Sequence, residues 1–198
     1  MNFSNQIPRT LPVIYLNNIV MFPYLMLPLV TSDDRIIKII EHSMANDKIL
    51  AYFLQKDSKN ASEIEVYEYG TAVRILRMLR NNDGSLSLLL QGVTRIKLEK
   101  VTQHQPFMLV EVETIAENLD SNPTILANRK ITLEMLDQFV LESEEMNKDL
   151  IVGLKAIKQH GRVSDIIAGN IPIDIRIKQK ILETNDLVER YTILNQEM

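Results

Sequence analysis

The stretch TAVRILRMLRNNDGSLSLLLQ, residues 71–91, decides how the first half of this chain folds. Two apolar-rich runs flank Asn81-Asn82-Asp83-Gly84, and Asp-Gly tolerates the positive φ that a tight hairpin turn needs. Strands are expected over residues 71–80 and 85–91, with Leu86, Leu88 and Leu90 marking the buried face of the second. Downstream, further strands are expected over residues 94–101 and 107–114, where Met108, Val110 and Val112 alternate with Glu111 and Glu113. Upstream, residues 49–54 form a compact apolar strand and residues 56–65 a polar loop. Residues 33–47 carry acidic groups at the start and Ile36, Ile37, Ile40 and Met44 on one stripe, the pattern of a short amphipathic helix.

The segment IVMFPYLMLPL, residues 19–29, is the least regular part of this half. It is too short to span a membrane and is cut by Pro23 and Pro28. A helix is excluded too, because an interior proline removes a hydrogen bond and clashes with the preceding turn. The reading is a strand over residues 12–16, a loop at Asn17 and Asn18, and a second extended segment broken at Pro23. Phe22 and Leu27 are expected in the core and Tyr24, between two bends, at the surface.

Beyond the polar link at residues 117–123 the period changes. Leu133, Leu136, Phe139 and Val140 fall at helical spacing within residues 124–143, as do Leu150, Leu154 and Ile157 within residues 149–159. Gly161 is placed where a helix ends. A short element over residues 163–168 precedes helices over residues 174–183 and 186–196, the last opening with Asp186 and Glu189 in capping-box spacing. Strands followed by helices, without βαβ alternation, give an α+β chain. It is divided into a tail (1–10), a curved, partly closed sheet with one inserted helix (11–117), a linker (118–123) and a helical bundle (124–198).

Composition narrows the function. The net charge of −4 gives no general attraction to phosphate or anionic lipid, and no five-residue basic cluster appears. With no cysteine, disulfides, thiolate metal sites and a Cys nucleophile are excluded. The start lacks the apolar core of a secretory signal, so a cytoplasmic protein is expected. His42, His104 and His160 lie in different elements without metal-pair spacing, and Glu144 and Glu145 are adjacent, as on a solvated face. Phosphate loops and nucleophile elbows are missing, and nothing brings Ser43 and Lys56 together as a Ser-Lys pair. No catalytic, metal or cofactor site is expected in this chain.

Four stretches carry a family resemblance: LPVIYLNNIVMFPYLMLPL (11–29), MANDKILAYFLQKD (44–57), YEYGTAVRILRMLRNNDGSLSLLLQGVTRIKL (67–98) and HGRVSDIIAGNIPIDIRIKQKILETNDLVERYTIL (160–194). In order and over almost the whole chain they resemble the amino-terminal substrate-binding domain of the Lon family of ATP-dependent proteases. Two departures fall in the first stretch. Tyr15, Leu16, Asn17 and Asn18 stand where the family usually has Pro-Leu-Arg-Asp, and Tyr24 stands where glycine commonly follows Phe-Pro.

The resemblance implies a PUA-like pseudo-barrel followed by a helical bundle, and a non-catalytic role. The domain would recognise unfolded or damaged proteins for an ATPase and protease ring whose Ser-Lys dyad, ATP and magnesium belong to other modules. Partners are then protein substrates and the ATPase/protease modules or other copies of the subunit, in a hexamer for the full-length family. Met21, Phe22, Tyr24, Leu25 and Met26 are the candidate substrate-binding surface, since methionines and aromatics adapt to varied apolar segments. Two other classes remain. A PUA-like sheet with Arg74, Arg77, Arg80, Arg95 and Lys97 could bind RNA, although no aromatics interleave with these charges. A stand-alone domain could instead act as an assembly module through the opening stretch or the Leu187, Tyr191, Leu194 stripe, which needs a partner.

Overall fold

A computed structural model describes residues 7–57, 65–142 and 148–198. Residues 1–6 of the expected 1–10 tail, most of the 56–65 loop, and Ser143, Glu144 and Glu145 lie outside the described residues. The chain divides into two units, the first through Ala116 and the second Glu117–Met198.

The first unit contains β1 (Thr10–Leu16), β2 (Met26–Thr31), α1 (Asp34–Met44), β3 (Ile49–Gln55), β4 (Val66–Arg80), β5 (Leu86–Gln103) and β6 (Leu109–Thr114). Their order is β2-β5-β4-β3-β1-β6, and β5 also pairs with β6. The second half of β5 therefore closes a barrel of β1, β3, β4, β5 and β6, while β2 runs beside the first half of β5 as an edge strand. The central strands are apolar on both faces because each face meets a separate core. Ile14, Leu50, Tyr52, Val73, Leu86, Leu88 and Leu90 pack with Ile36, Ile39 and Ile40 of α1, whereas Leu11, Val13, Ala51, Phe53, Ile96 and Val110 pack on the other side. Ile39 takes the central place on α1 that the sequence pattern gave to Ile37, which is half-buried.

The hairpin is built as its turn residues require. The Gly84 N–H donates to the Asn81 carbonyl at 3.0 Å, and Gly84 has φ +86°. The Asp83 carboxylate accepts from the Ser85 hydroxyl at 2.7 Å and from its N–H at 3.0 Å, which holds its pKa below the ordinary value. Two strands expected over 85–91 and 94–101 are one continuous strand. Gly92 and Val93 remain in it, and the bend is absorbed by a register shift opposite Ala72 and Val73.

The second unit holds α2 (Pro123–Glu142), α3 (Lys148–Ala156), α4 (His160–Asn170), α5 (Ile175–Glu183) and α6 (Leu187–Glu197). Asp186 caps α6 as its spacing suggests, accepting from the Glu189 N–H at 2.8 Å. Gly161 does not end a helix. It lies in the first turn of α4, buried where an added Cβ would stand 3.3 Å from the Glu117 carboxylate and 3.6 Å from the Arg190 guanidinium. The stripe Leu187, Tyr191 and Leu194 needs no outside partner, since all three are buried within this unit, where α6 packs against α2.

The buried polar centre of this unit joins α4 to α6. Arg190 and Asp165 are 2% and 1% exposed and pair at 3.2 Å. Arg190 also donates to the Ser164 hydroxyl at 3.2 Å and, through Nε and the second amino group, to the Thr184 carbonyl at 3.0 and 2.8 Å. Arg129 satisfies the end of α3, donating to the carbonyls of Leu154 and Ile157 at 3.3 and 2.6 Å.

His160 accepts from Arg129 through Nδ1 at 3.2 Å, which leaves Nε2–H facing the Ser121 hydroxyl at 3.2 Å. Burial, and then the Arg129 charge, lower its pKa below the ordinary 6.5. A depressed histidine takes up its proton in the unfolded chain first, so its contribution is present above 6.5 and is lost as pH falls below it. Urea unfolding followed by helical circular dichroism at pH 7.5 and 5.5 is expected to show a smaller loss on acidification for His160→Gln than for the unaltered chain.

Candidate functional site

The sequence-derived surface is brought together only in part. Residues 19–23 fold over the sheet, fixed by the Tyr52 hydroxyl donating to the Ile19 carbonyl at 3.2 Å and the Thr71 hydroxyl donating to the Met21 carbonyl at 2.5 Å. Met21 and Phe22 are 3% and 0% exposed, so neither side chain offers a binding surface. They are core because the sheet under them is apolar on this side: Met21 packs with Ile14, Tyr52, Val73 and Leu90. Burial pushes the Tyr52 hydroxyl well above its ordinary pKa, consistent with a neutral donor here. Tyr24 and Leu25 are half-buried, and Met26 alone of the five is exposed, at 60%.

The turn that makes this division has a definite geometry. The Leu25 N–H points to the Phe22 carbonyl at 3.4 Å, with Pro23 second in the turn and Tyr24 third at φ +69°. This is a type II turn, whose third position favours glycine. The Tyr24 N–H then donates to the Gly92 carbonyl and the Gly92 N–H donates to the Leu25 carbonyl, both at 2.9 Å. Two residues thus oppose one, a bulge of the G1 kind. An alanine normally stabilises a chain more than a glycine does. Here Tyr24→Gly is expected to be more stable than Tyr24→Ala by about 1 kcal/mol, since both lose the ring and only glycine relieves the left-handed backbone. Chemical denaturation of the two variants checks the inverted order.

Past the bulge, β2 settles into strict alternation. Leu27 and Leu29 turn toward the α1 side and are half-buried, while Met26, Pro28 and Val30 turn outward and are exposed, Val30 at 69%. Register places Pro28 beside Leu89 of β5 and Val30 beside Ser87 and then Leu79 of β4. Leu79 is 48% exposed, and Leu76, at a register shift in the same strand, 45%. Sequence reasoning missed Val30, Leu79 and Leu89. The signal was the period-two pattern of Met26, Pro28 and Val30 against Leu27 and Leu29, hidden because both sets are apolar.

The basic stripe does not assemble as one charged face. Arg80 is paired with Glu41 of α1 at 2.6 Å, Arg95 is buried, and the Lys97 ammonium lies 5.6 Å from the Tyr69 ring centroid. Ser43 is buried with its hydroxyl donating to the Ile39 carbonyl at 2.9 Å, and Lys56 sits over the Tyr67 ring, so the two are engaged separately. Among the described residues no group of three or more His, Asp or Glu is placed to hold a metal, and no helix is long and apolar enough to cross a membrane. Among the described residues of the helical unit, the exposed large hydrophobic side chains, Leu119, Leu126, Ile131 and Val152, are spread over the segment before α2, α2 itself and α3.

An α+β chain of two units, a curled sheet with an open edge and a set of packed helices, matches solved amino-terminal protease domains. The N-terminal domain of a Mycobacterium avium complex Lon protease superposes with a TM-score of 0.75 at 18% identity, covering 94% of this chain and 96% of that one. The Lon N-terminal domain protein from Xanthomonas campestris gives 0.71 at 20% identity, covering 96% and 98%. These likenesses establish the fold. Residues 10–198 match the model of the ATP-dependent protease La (LON) substrate-binding domain, and the chain belongs to that family. Lon protease 2 of Bdellovibrio bacteriovorus is 31% identical over 196 residues, which are 96% of this chain and 24% of the relative. Lon protease 1 of Bacillus subtilis is 25% identical over 189 residues, 94% of this chain and 24% of the relative. The chain spans about a quarter of the length of the curated relatives it matches.

Proposed function

We propose that this chain is the non-catalytic substrate-recognition part of a Lon-type ATP-dependent protease, and that it captures unfolded or damaged proteins through the outward face of β2, β5 and β4. The carrying observation is the exposure of Met26 and Val30, 60% and 69%, side by side on an edge strand. Around them Pro28, Leu89 and Leu79 continue an apolar surface on which misfolded chains can bury their own apolar groups. Methionine and proline give that surface shape without demanding one partner sequence, which suits a varied clientele. Individual contacts of this size are weak, and several copies on one assembly would add avidity. In this reading ATP, magnesium and peptide-bond cleavage belong to other modules of the parent protein, and the chain itself works without a cofactor.

The test compares binding of one labelled protein in its folded and chemically unfolded forms. The unaltered chain is expected to prefer the unfolded form. A Met26→Ser, Val30→Ser, Leu79→Ser variant is expected to weaken that binding at least tenfold, since three exposed side chains lose about 1 kcal/mol or less each of apolar burial. Leu126→Ser with Val152→Ser in the helical unit serves as the control and leaves it unchanged. Equal, negligible binding of both forms would sink the reading.

A further inference from the structure

The apolar face has a second property that side chains alone do not supply. β2 ends the strand order and has a neighbour on one side only among the described residues. The Gly92 N–H bonds the Leu25 carbonyl, and this sets the phase of the ladder that follows. Leu27 and Leu29 stand in the hydrogen-bonded pairs with Leu90 and Leu88, while Met26, Pro28 and Val30 direct their backbone groups away from β5. Met26 and Val30 each present an N–H and a carbonyl there, and Pro28 presents a carbonyl. No hydrogen bond from another described residue reaches these groups. Pro28 occupies an outward position, where its missing N–H costs the sheet nothing.

We infer that β2 captures its substrate by strand addition: an extended segment of an unfolded polypeptide, about five or six residues long, pairs along the free edge at Met26, Pro28 and Val30. The inference rests on the substrate-recognition reading and deepens it by naming the conformation that is bound. Backbone pairing explains how one site can hold unrelated sequences, because every non-proline residue offers the same donor and acceptor. Alternate side chains of the added strand lie beside Met26 and Val30 on one face and beside half-buried Leu27 and Leu29 on the other. The segments favoured are therefore apolar on both faces, β-branched or aromatic, and free of proline, the kind a folded protein keeps inside.

A second copy of this chain is a poorer occupant. Antiparallel pairing of two β2 edges in the register that engages all three outward positions, with Met26 opposite Val30, sets Pro28 against Pro28, with no donor on either side. A foreign strand supplies the N–H that the Pro28 carbonyl accepts. Pro28 thus guards the edge against self-association while leaving it open to other chains.

The probe is a fluorescein-labelled peptide, KKVIVFVIVKK, apolar on both faces and kept in solution by its terminal lysines, added to the 198-residue chain. At saturation, amide exchange followed by NMR is expected to slow at least tenfold at Met26 and Val30. Leu27 and Leu29, already bonded to β5, are expected to change little. Val30→Pro removes one outward donor without touching the ladder to β5, and Val30→Thr keeps it. The proline variant is expected to bind the peptide about fivefold more weakly than the threonine variant, the worth of one hydrogen bond. Unchanged exchange at Met26 and Val30, equal binding by the two variants, or capture of unfolded protein without capture of the peptide would each overturn strand addition and leave substrate recognition through side chains standing. Failure to bind either the peptide or unfolded protein would remove both. Should Val30→Pro lose protection at Leu27 and Leu29, the ladder itself has broken, and exchange in the unaltered chain decides.

Discussion

Replacing Arg190 by alanine is expected to cost the helical unit about 3–5 kcal/mol, the largest effect of any single substitution considered. The guanidinium is 2% exposed and ties Asp165 and Ser164 of α4 to Thr184 in the turn before α6. Removing it leaves the Asp165 carboxylate, 1% exposed, without its cation, and leaves the Thr184 carbonyl without these donors. The cost comes from the stranded groups rather than from the intrinsic strength of the pair. Two charges taken out of water gain little beyond what desolvation takes away. Asp165→Leu combined with Arg190→Met is accordingly expected to recover much of the loss, although neither change alone does. Helical circular dichroism in urea follows this unit specifically, because its elements carry most of the helix. A loss below about 1 kcal/mol for Arg190→Ala would show that water reaches the site.

Gly92→Ala is expected to destabilise the first unit by about 3 kcal/mol. A Cβ at this position would enter the Phe22 carbonyl and stand 3.1 Å from the Pro23 Cα, and both neighbours are backbone that cannot rotate away. Relief requires the turn to lift from β5, which breaks the paired bonds of Gly92 with Tyr24 and Leu25. Phe22, fully buried, would move with it. Because β2 begins at the next residue, the same displacement disturbs the edge at Met26 and Val30. Gly92→Ala should therefore lower both the unfolding midpoint of the sheet unit and its binding of unfolded protein. By contrast, Met26→Ser should lower binding alone, since its side chain is 60% exposed. Unfolding in urea and binding measured on the same samples separate the two.

Much of the sheet unit was legible because its signals are local. Asp83-Gly84 announces a turn within four residues, and the Leu86, Leu88, Leu90 alternation fixes which face is buried. The cap at Asp186 in the helical unit is equally local, accepting from the Glu189 N–H three residues on. What could not be read depends on contacts between distant residues. Gly92 suggested a break between two strands, yet its role is to let Phe22, 70 positions earlier in the chain, approach a continuous one. Gly161 resembled a helix stop, whereas it lies in the first turn of α4, where an added Cβ would stand 3.3 Å from the Glu117 carboxylate. The partnership of Arg190 with Asp165 carries no periodicity at all.

The candidate site was legible only at its boundary. The opening stretch drew attention to residues 19–29, but its prolines, methionines and leucines are all apolar and so do not distinguish core from surface. The division is made by the turn at Pro23 and Tyr24, which ends the buried segment and starts the alternation of β2. Val30, just beyond the stretch, is the most exposed large hydrophobic side chain among the described residues of the sheet unit for the same reason.

Site-specific photocrosslinking reports whether unfolded protein is held at this edge. A photoreactive residue is placed at Val30 or, as the control, at Val152 of α3, which is 72% exposed and therefore equally accessible. With chemically unfolded labelled protein present, strong crosslinking is expected from position 30, weak crosslinking from position 152, and loss of both signals when the same protein is folded. Equal yields from the two positions, or crosslinks that do not distinguish folded from unfolded protein, would contradict capture at this edge.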